Sequence, residues 1–157
     1  MHQWSMLLTI AALSGVALTP VVAAAQQPSD IDKVRAASAA LYAALSSLDV
    51  APMERFWAHE PYVRYIGPPS RAVAVGWEEV KKTIAAGNAG LSERRVTLTQ
   101  SHVQVSGWLA WEVGVETTQR TLKTGEVLNT QNFVTNIYEN KDGQWLMVSH
   151  HASPVPR

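Results

Sequence analysis

Two adjacent histidines near the end of the chain, His150 and His151, are the first candidates for chemistry. They follow an Asp142-Gly143 pair that separates two stretches of alternating apolar and polar residues. Asp-Gly in this setting predicts a β-hairpin, because glycine accepts the positive φ of a tight turn. Successive residues of a strand point to opposite faces. One face is predicted to hold Leu146, Val148, His150 and Ala152, and the other Trp145, Met147, Ser149, His151 and Ser153. The two histidines therefore cannot share one task.

Two glutamates on a neighbouring predicted strand can complete an acid–base site with His150. Glu112 and Glu116 are four residues apart, so they lie on the same face of that strand. Imidazole titrates near neutrality, and a buried carboxylate beside it keeps either group ready to exchange a proton. We therefore predict His150 and Glu112 as catalytic residues and Glu116 as a further pocket residue, on the interpretation that this face of the strand looks inward.

The same residues also have a structural interpretation, which the sequence leaves open. A histidine can be satisfied within a core, and the glutamates can pair with Arg64, Arg120 or solvent. Two further histidines, His59 and His102, have no tight ligand spacing to each other or to the hairpin pair, so no metal site is predicted. The sequence contains no glycine-rich phosphate loop, nucleophile elbow or Cys–His pair, and no cofactor is predicted.

Three helices in the first half must position these residues. Ser29 followed by Asp32 resembles a capping box, and apolar residues recur at helical spacing behind it, which predicts a helix over residues 30–48. Asp49 can cap a short second helix that carries Trp57, and Gly76 precedes a third helix. These helices are expected to supply one wall of the domain.

The second half of the chain is strand-like. Strands are predicted at residues 62–66, 96–106, 108–122 and 128–139, before the closing hairpin strand. The apolar phase slips between Leu98 and Val103, which predicts a β-bulge or a strong bend. Helices followed by a meander of long strands imply an α+β domain, with the helices on one face of a curved sheet.

Composition restricts the class of protein. The chain has 157 residues, which favours one domain, and its thirteen acidic side chains balance thirteen basic ones. The basic residues do not cluster, so a nucleic-acid partner is not expected. With no cysteine, the fold has to be stabilised by its own core.

The first 25 residues read as a signal peptide. They carry no charged side chain, they are largely apolar from residue 6 to residue 22, and Ala23-Ala24-Ala25 supplies the small residues of a cleavage site. We predict cleavage after Ala25, a short leader over residues 26–29, one domain over residues 30–157, and a periplasmic or secreted location. The rival, an uncleaved anchor, is disfavoured because the apolar run is shorter than the roughly 20 residues of a membrane span.

A succession of short motifs carries a resemblance that spans essentially the whole mature chain. The most specific part is the ending, in which Asp142-Gly143-Gln144-Trp145 is followed by His151-Ala152-Ser153-Pro154. Upstream motifs are Phe56-Trp57, Tyr65-Ile66-Gly67, Gly76-Trp77 and Gly107-Trp108-Leu109-Ala110-Trp111. The chain thus resembles the SnoaL-like branch of the nuclear transport factor 2-like superfamily. This resemblance implies a conical barrel in which a curved, mostly antiparallel sheet wraps three N-terminal helices around an apolar pocket, often as a homodimer formed through the sheet.

Two departures from relatives bear on function. The resemblance to ketosteroid isomerases places their catalytic Asp at Tyr65 and their Tyr at Leu41, with Tyr42 one step away, so that chemistry is not expected here. The resemblance to the kinase II association domain places its pocket arginines at Asn136 and Ala152, so an anionic ligand would lose those partners.

The sequence therefore predicts a binding protein for a small, mostly apolar molecule, with a cofactor-independent isomerase, lyase or hydrolase as the alternative. The activity of the superfamily cannot be read from its fold, which hosts enzymes and plain binding modules alike. The predicted ligand-binding residues are Tyr42, Trp57, Tyr65, Trp77, Glu116 and Asn136.

Overall fold

A computed structural model of the chain describes residues 28–68 and 72–156. The predicted signal peptide, its cleavage point and residues 26–27 of the leader lie outside the described residues. The elements follow in the order α1 (Asp30–Leu45), α2 (Ala51–Glu54), β1 (Arg64–Ile66), β2 (Ala74–Val75), α3 (Trp77–Asn88), β3 (Leu91–Ser106), β4 (Leu109–Leu122), β5 (Val127–Lys141) and β6 (Gln144–Pro154).

The first helix, α1, starts where the sequence predicts and ends three residues early. The Ser29 hydroxyl accepts a hydrogen bond from the Asp32 backbone N–H, which caps the start as expected. Ser46 ends the helix, and its hydroxyl accepts a hydrogen bond from the Val96 backbone N–H of β3 at 3.0 Å. This bond ties the end of α1 to the sheet. No helix among the described residues is long and apolar enough to cross a membrane.

The six strands form one curved sheet in the order β2-β1-β6-β5-β4-β3. β1 runs parallel to β6, and the long strands from β3 to β6 are antiparallel neighbours. The α+β class and the mostly antiparallel sheet are confirmed. The sheet is not closed into a barrel, because β2 and β3 stand at opposite edges of the strand order.

The predicted bulge in β3 is confirmed. The register of β3 against β4 shifts between Thr99 and His102, and Gln100 adopts a φ of 52° there. Gly114 of β4 faces this bulge, where a Cβ atom would lie 2.9 Å from the Thr99 backbone oxygen. Only a residue without a side chain allows the two backbones to approach this closely.

A second irregularity changes which residues of β6 are buried. The register of β5 against β6 shifts between Ile137 and Tyr138, so Val148 has no partner in the pairing. Trp145 and Met147 are consequently buried together with His150, whereas the sequence pattern placed them on the face of His151. That prediction was wrong because a bulge reverses the facing of every residue beyond it. The opposite orientation of the two histidines is confirmed: His150 is buried and His151 is exposed.

Candidate functional site

Three polar residues lie side by side on the concave face of the sheet. Glu112 of β4 pairs with Asn136 of β5, and Asn136 pairs with His150 of β6. All three are buried, with exposed fractions of 1%, 0% and 5%. Directly opposite residues on one face bring their side chains within contact distance. Strand pairing alone therefore assembles the row.

Glu112 is enclosed by donors. Its carboxylate accepts hydrogen bonds from the Ser38 hydroxyl at 2.7 Å, the Ser101 hydroxyl at 2.5 Å, the Tyr138 hydroxyl at 2.9 Å and the Asn136 amide at 3.2 Å. Burial and the adjacent Glu112 charge raise the pKa of Tyr138 well above its usual value, so this phenol keeps its proton and donates. Three of these four donors converge on Oε2 and one on Oε1, so the carboxylate is held by its neighbours on both oxygens.

This arrangement fixes the tautomer of His150. The Asn136 amide nitrogen donates to Glu112 and also to the Tyr42 hydroxyl at 3.2 Å, so its amide oxygen faces His150. That oxygen lies 2.8 Å from His150 Nδ1. Because an amide oxygen only accepts, we assign the imidazole proton to Nδ1. His150 Nε2 is left with a free lone pair.

The free nitrogen faces a second carboxylate. His150 Nε2 lies 4.0 Å from Glu116 Oε2, while Glu116 Oε1 accepts a hydrogen bond from Thr118. Burial lowers the pKa of His150 below its usual 6.5; Glu116 opposes this shift, and Arg94 and His151 add to it. Burial and the charge of Glu116 raise the pKa of Tyr42. The pair can therefore hold a neutral imidazole, which is the basic form.

The aromatic ring of Tyr65 covers one face of the His150 ring. The two rings stack with centroids 5.2 Å apart at an interplanar angle of 17°. Gly67, two residues further along the chain, leaves room for this: a Cβ atom there would lie 2.1 Å from the Tyr65 hydroxyl oxygen. The absence of a side chain at Gly67 therefore leaves the space that the Tyr65 ring and hydroxyl occupy.

Two adjoining cavities border this site, and together we call them the cleft. Its outer part has a volume of about 240 Å³ and is lined by Tyr65, Gly67, Pro68, Thr83, Ile84, Gly87, Asn88, Leu91, Arg94, Glu116, Thr118, Arg120, Thr130 and Asn132. An inner chamber of about 10 Å³, room for roughly one water molecule, is lined by Tyr42, Leu45, Trp57, Tyr65, Arg94, Glu116, Met147 and His150. Three residues, Tyr65, Arg94 and Glu116, line both parts.

Most of the predicted site residues lie close together. Some line the inner chamber, and others lie behind those that do. His150, Glu116 and the aromatic residues Tyr42, Trp57 and Tyr65 line the inner chamber. Asn136 lines neither part of the cleft and acts through His150. Glu112 borders a different groove between α1 and β3, and Glu116 is the carboxylate that faces the imidazole.

Trp77 is the predicted site residue that the cleft leaves out. It lies behind Trp57, with ring centroids 6.1 Å apart, and stacks on His59 at 4.7 Å. The residues lining the cleft and the chamber do not include it. Its position at the start of α3 directs the indole to the core near α2 instead.

Sequence reasoning missed two arginines in the cleft. Arg120 continues the inward series Glu116, Thr118 along β4 at a spacing of two, and Arg94 is its directly opposite partner on β3. That periodicity was a usable signal for Arg120. Neither Glu112 nor Glu116 lies within 4.0 Å of Arg64 or Arg120, so the structural pairing considered from the sequence is absent from the described part of the chain. The described residues also include no group of three metal-ligating side chains.

Comparisons with known proteins agree with this architecture. A model of the SnoaL-like domain matches residues 34–157. A candidate dehydratase of the nuclear transport factor 2-like family from Streptomyces avermitilis is 25% identical, with a TM-score of 0.73 over 82% of this chain and 98% of that one. Curated proteins give no significant match.

Two further solved structures share the fold. A candidate calcium/calmodulin-dependent protein kinase II association domain from Xanthomonas campestris is 24% identical, with a TM-score of 0.70 over 80% of this chain and 88% of that one. A nuclear transport factor 2-like protein from Salmonella enterica is 15% identical, with a TM-score of 0.73 over 80% and 90%. The domain match covers most of the chain, and the fold agrees with it. The chain therefore belongs to the SnoaL-like family of the nuclear transport factor 2-like superfamily.

Proposed function

We propose that this protein binds a small molecule in the cleft between α3 and the concave face of the sheet. The observation that carries the proposal is the shared lining of the two parts of the cleft, which border the buried His150–Glu116 pair. Concave sites with an apolar wall and a few convergent polar groups are typical ligand sites. Here Ile84, Leu91 and the Tyr65 ring supply apolar surface, and Glu116 supplies a polar anchor.

A thermal-shift series with small apolar metabolites tests this function. A ligand that binds only the folded protein raises its stability by RT ln(1 + [L]/Kd). We expect a stabilising ligand to lose at least tenfold in affinity in Tyr65→Ala, because this ring lines both parts of the cleft. Tyr62→Ala is the matched control, since Tyr62 is exposed and lines neither part. Equal affinity in both variants would place the ligand elsewhere.

A second candidate function, acid–base catalysis, is favoured by the tautomer of His150. Its Nε2 lone pair is held toward the chamber by the Asn136 bond and faces Glu116 at 4.0 Å. A neutral imidazole can remove a proton from a bound ligand and return it to another atom of the same ligand, which is an isomerisation without any co-reactant. Return of the proton to a leaving hydroxyl group would instead eliminate water, and one neighbour of similar fold is a candidate dehydratase.

Proton exchange in deuterated water separates catalysis from binding. For each ligand that binds, NMR would follow replacement of its C–H hydrogens by deuterium. We expect His150→Ala to abolish exchange and His151→Ala to leave it unchanged, because His151 is exposed on the opposite face. Exchange that survives in His150→Ala, or a bound ligand that never exchanges, would leave the protein as a binding module.

We also propose that the protein forms a homodimer through the outer face of its sheet. Trp111 and Val113 of β4 and Phe133 of β5 are large apolar side chains with 41–51% of their surface exposed. A contiguous exposed apolar patch typically marks an interaction site. Several solved structures of similar fold are association or hub domains of a kinase.

Light scattering after gel filtration tests the dimer. We expect Phe133→Asp to give monomers, because it places a charge inside the apolar contact. Val127→Asp changes an equally exposed valine near the start of the same strand and should leave the dimer intact. A monomeric wild-type protein at micromolar concentration would contradict the proposal.

Export is the remaining proposal, and it rests on the composition of residues 1–25. Mass spectrometry of the protein from the periplasmic fraction should give a chain that begins at Gln26. A cytoplasmic product that retains Met1 would contradict export.

A further inference from the structure

Two arginines face each other across the wall of the cleft. Arg94 and Arg120 are directly opposite partners on β3 and β4, and both line the outer cleft. Like charges at directly opposite positions of a sheet destabilise the pairing of the strands. The folded protein therefore places two positive charges at an unfavourable, directly opposite pair of positions.

Neither arginine forms an ion pair within the described part of the chain. No carboxylate oxygen there lies within 4.0 Å of either guanidinium group, and the hydrogen bond observed is from Arg94 Nη1 to Asn88 Oδ1 at 3.1 Å. The Nε atoms of both arginines are buried and have no hydrogen-bond partner among the described residues. Buried donors without partners are costly and call for an explanation.

A third orphan donor belongs to the same cleft. Trp57, which lines the inner chamber, has a buried Nε1 without a partner among the described residues. Arginine and tryptophan side chains donate hydrogen bonds and cannot accept them. The group that satisfies this set is therefore an acceptor, and the positive charge of the arginines selects an anionic one.

We infer that the cleft recognises a small organic carboxylate, whose oxygens accept hydrogen bonds from Arg94 and Arg120. This inference rests on the proposed binding function and names its ligand class. Guanidinium groups bind carboxylates through paired, charge-assisted hydrogen bonds. Among the residues that line the outer cleft, Arg94 and Arg120 are opposed by the single charge of Glu116, so a monocarboxylate matches the net charge. Its apolar part would lie against Tyr65, Ile84 and Leu91.

This ligand class differs from the one that the sequence predicts. The kinase II association domain has pocket arginines where this chain has Asn136 and Ala152. Their absence from those positions argued against an anionic ligand. The structure supplies guanidinium groups from other strands, β3 and β4, at the outer part of the cleft. The inferred ligand has a charged carboxylate group and an apolar body, whereas the sequence predicted a small, mostly apolar molecule.

Paired probes test the inference. Benzoate and hexanoate would be compared with benzamide and hexanamide, which have similar shape and no charge, by thermal shift at 150 mM NaCl, where nonspecific surface attraction is largely screened. We expect the carboxylates to bind at least tenfold more tightly than the amides. Arg120→Gln should remove this preference, and so should Arg94→Gln. Arg95→Gln is the matched control, because Arg95 neighbours Arg94 on β3 but is exposed on the other face.

The stability of the unliganded variants supplies an independent readout. Arg120→Gln should not lower the melting temperature of the ligand-free protein, since it relieves the repulsion of Arg94 and breaks no hydrogen bond that the described residues show. A clear loss of stability in this variant would make Arg120 a structural residue and overturn the inference.

The outcomes separate this inference from the proposed function. Equal binding of carboxylates and amides, unchanged in Arg120→Gln, would leave a ligand cleft in place and overturn the carboxylate. Carboxylate binding that persists in both arginine variants would place the anion elsewhere and also overturn it. Failure of all four probes to bind would overturn the inference, while the Tyr65→Ala series with neutral metabolites would still decide whether the cleft binds a ligand.

Discussion

Glu112 and Glu116 lie on the same face of β4, yet their surroundings differ completely. Glu112 accepts four hydrogen bonds and lies beneath the site, whereas Glu116 accepts one from Thr118, is a hydrogen-bond partner of the Tyr42 side chain and faces the free nitrogen of His150. A buried carboxylate surrounded by four donors stabilises a fold, and one with fewer donors keeps more of its acceptor capacity for a ligand. The comparison divides the concave face into a structural end and a functional end.

The largest expected effect is at the structural end. Glu112→Ala would leave the buried donors of Ser38, Asn136 and Tyr138 without their acceptor, and we expect a loss of roughly 3 kcal/mol or more in the free energy of unfolding. Glu116→Ala should cost less, about 1–2 kcal/mol, since it removes the hydrogen bonds with Thr118 and Tyr42. Urea denaturation of the two variants checks the difference. Equal losses would remove the distinction between the two ends.

Gly114 lies between the two glutamates on the same face and provides the second test. Gly114→Ala would place a Cβ atom 2.9 Å from the Thr99 backbone oxygen, which cannot swing aside as a side chain would. We expect about 1–3 kcal/mol of destabilisation from this overpacking. Gly87→Ala is the control, because a Cβ atom there meets nothing within 4 Å and alanine favours the helix. A Gly114→Ala protein as stable as the wild type would show that the bulge can shift.

The functional end should respond to pH through His150. Burial lowers the pKa of His150 in the folded state below its usual 6.5, so the unfolded chain binds more protons in the window below that value. Stability is therefore greatest above about pH 6.5 and falls as the pH drops through the folded-state pKa, by at most about 1.4 kcal/mol per pH unit for one proton.

Denaturation at several pH values between 5.5 and 7.5 measures this slope. His150→Gln should flatten it. His151→Gln should retain most of it, because burial is the main cause of the lowered pKa of His150 and the charge of His151 is the smallest contributor. Glu116, Arg94 and the Tyr65 ring, which also act on or contact His150, are unchanged in both variants. A wild-type slope that persists in His150→Gln would assign the pH dependence to another group.

The order of elements could be predicted because it depends on local signals. The Ser29 cap and the Asp142-Gly143 turn were correct, and so was the bulge after Leu98, since each is a property of a few adjacent residues. The C-terminal end of α1 and the facing of Trp145 and Met147 were not, because a hydrogen bond from Val96 and a bulge at Val148 decide them. Val96 is distant from α1 in sequence, and the bulge at Val148 is not visible in the alternation of apolar and polar residues.

The sequence by itself determined that His150 and His151 face opposite ways and that Glu112 and Glu116 share a face, because a strand has a period of two. The tertiary structure alone decided which glutamate meets His150. It also set Arg94 opposite Arg120, since strand register arises from the pairing of whole strands and no single residue encodes it. Strand register therefore determines the site. One strand, β4, supplies both carboxylates, and the strands and helices packed against it determine which groups each carboxylate contacts.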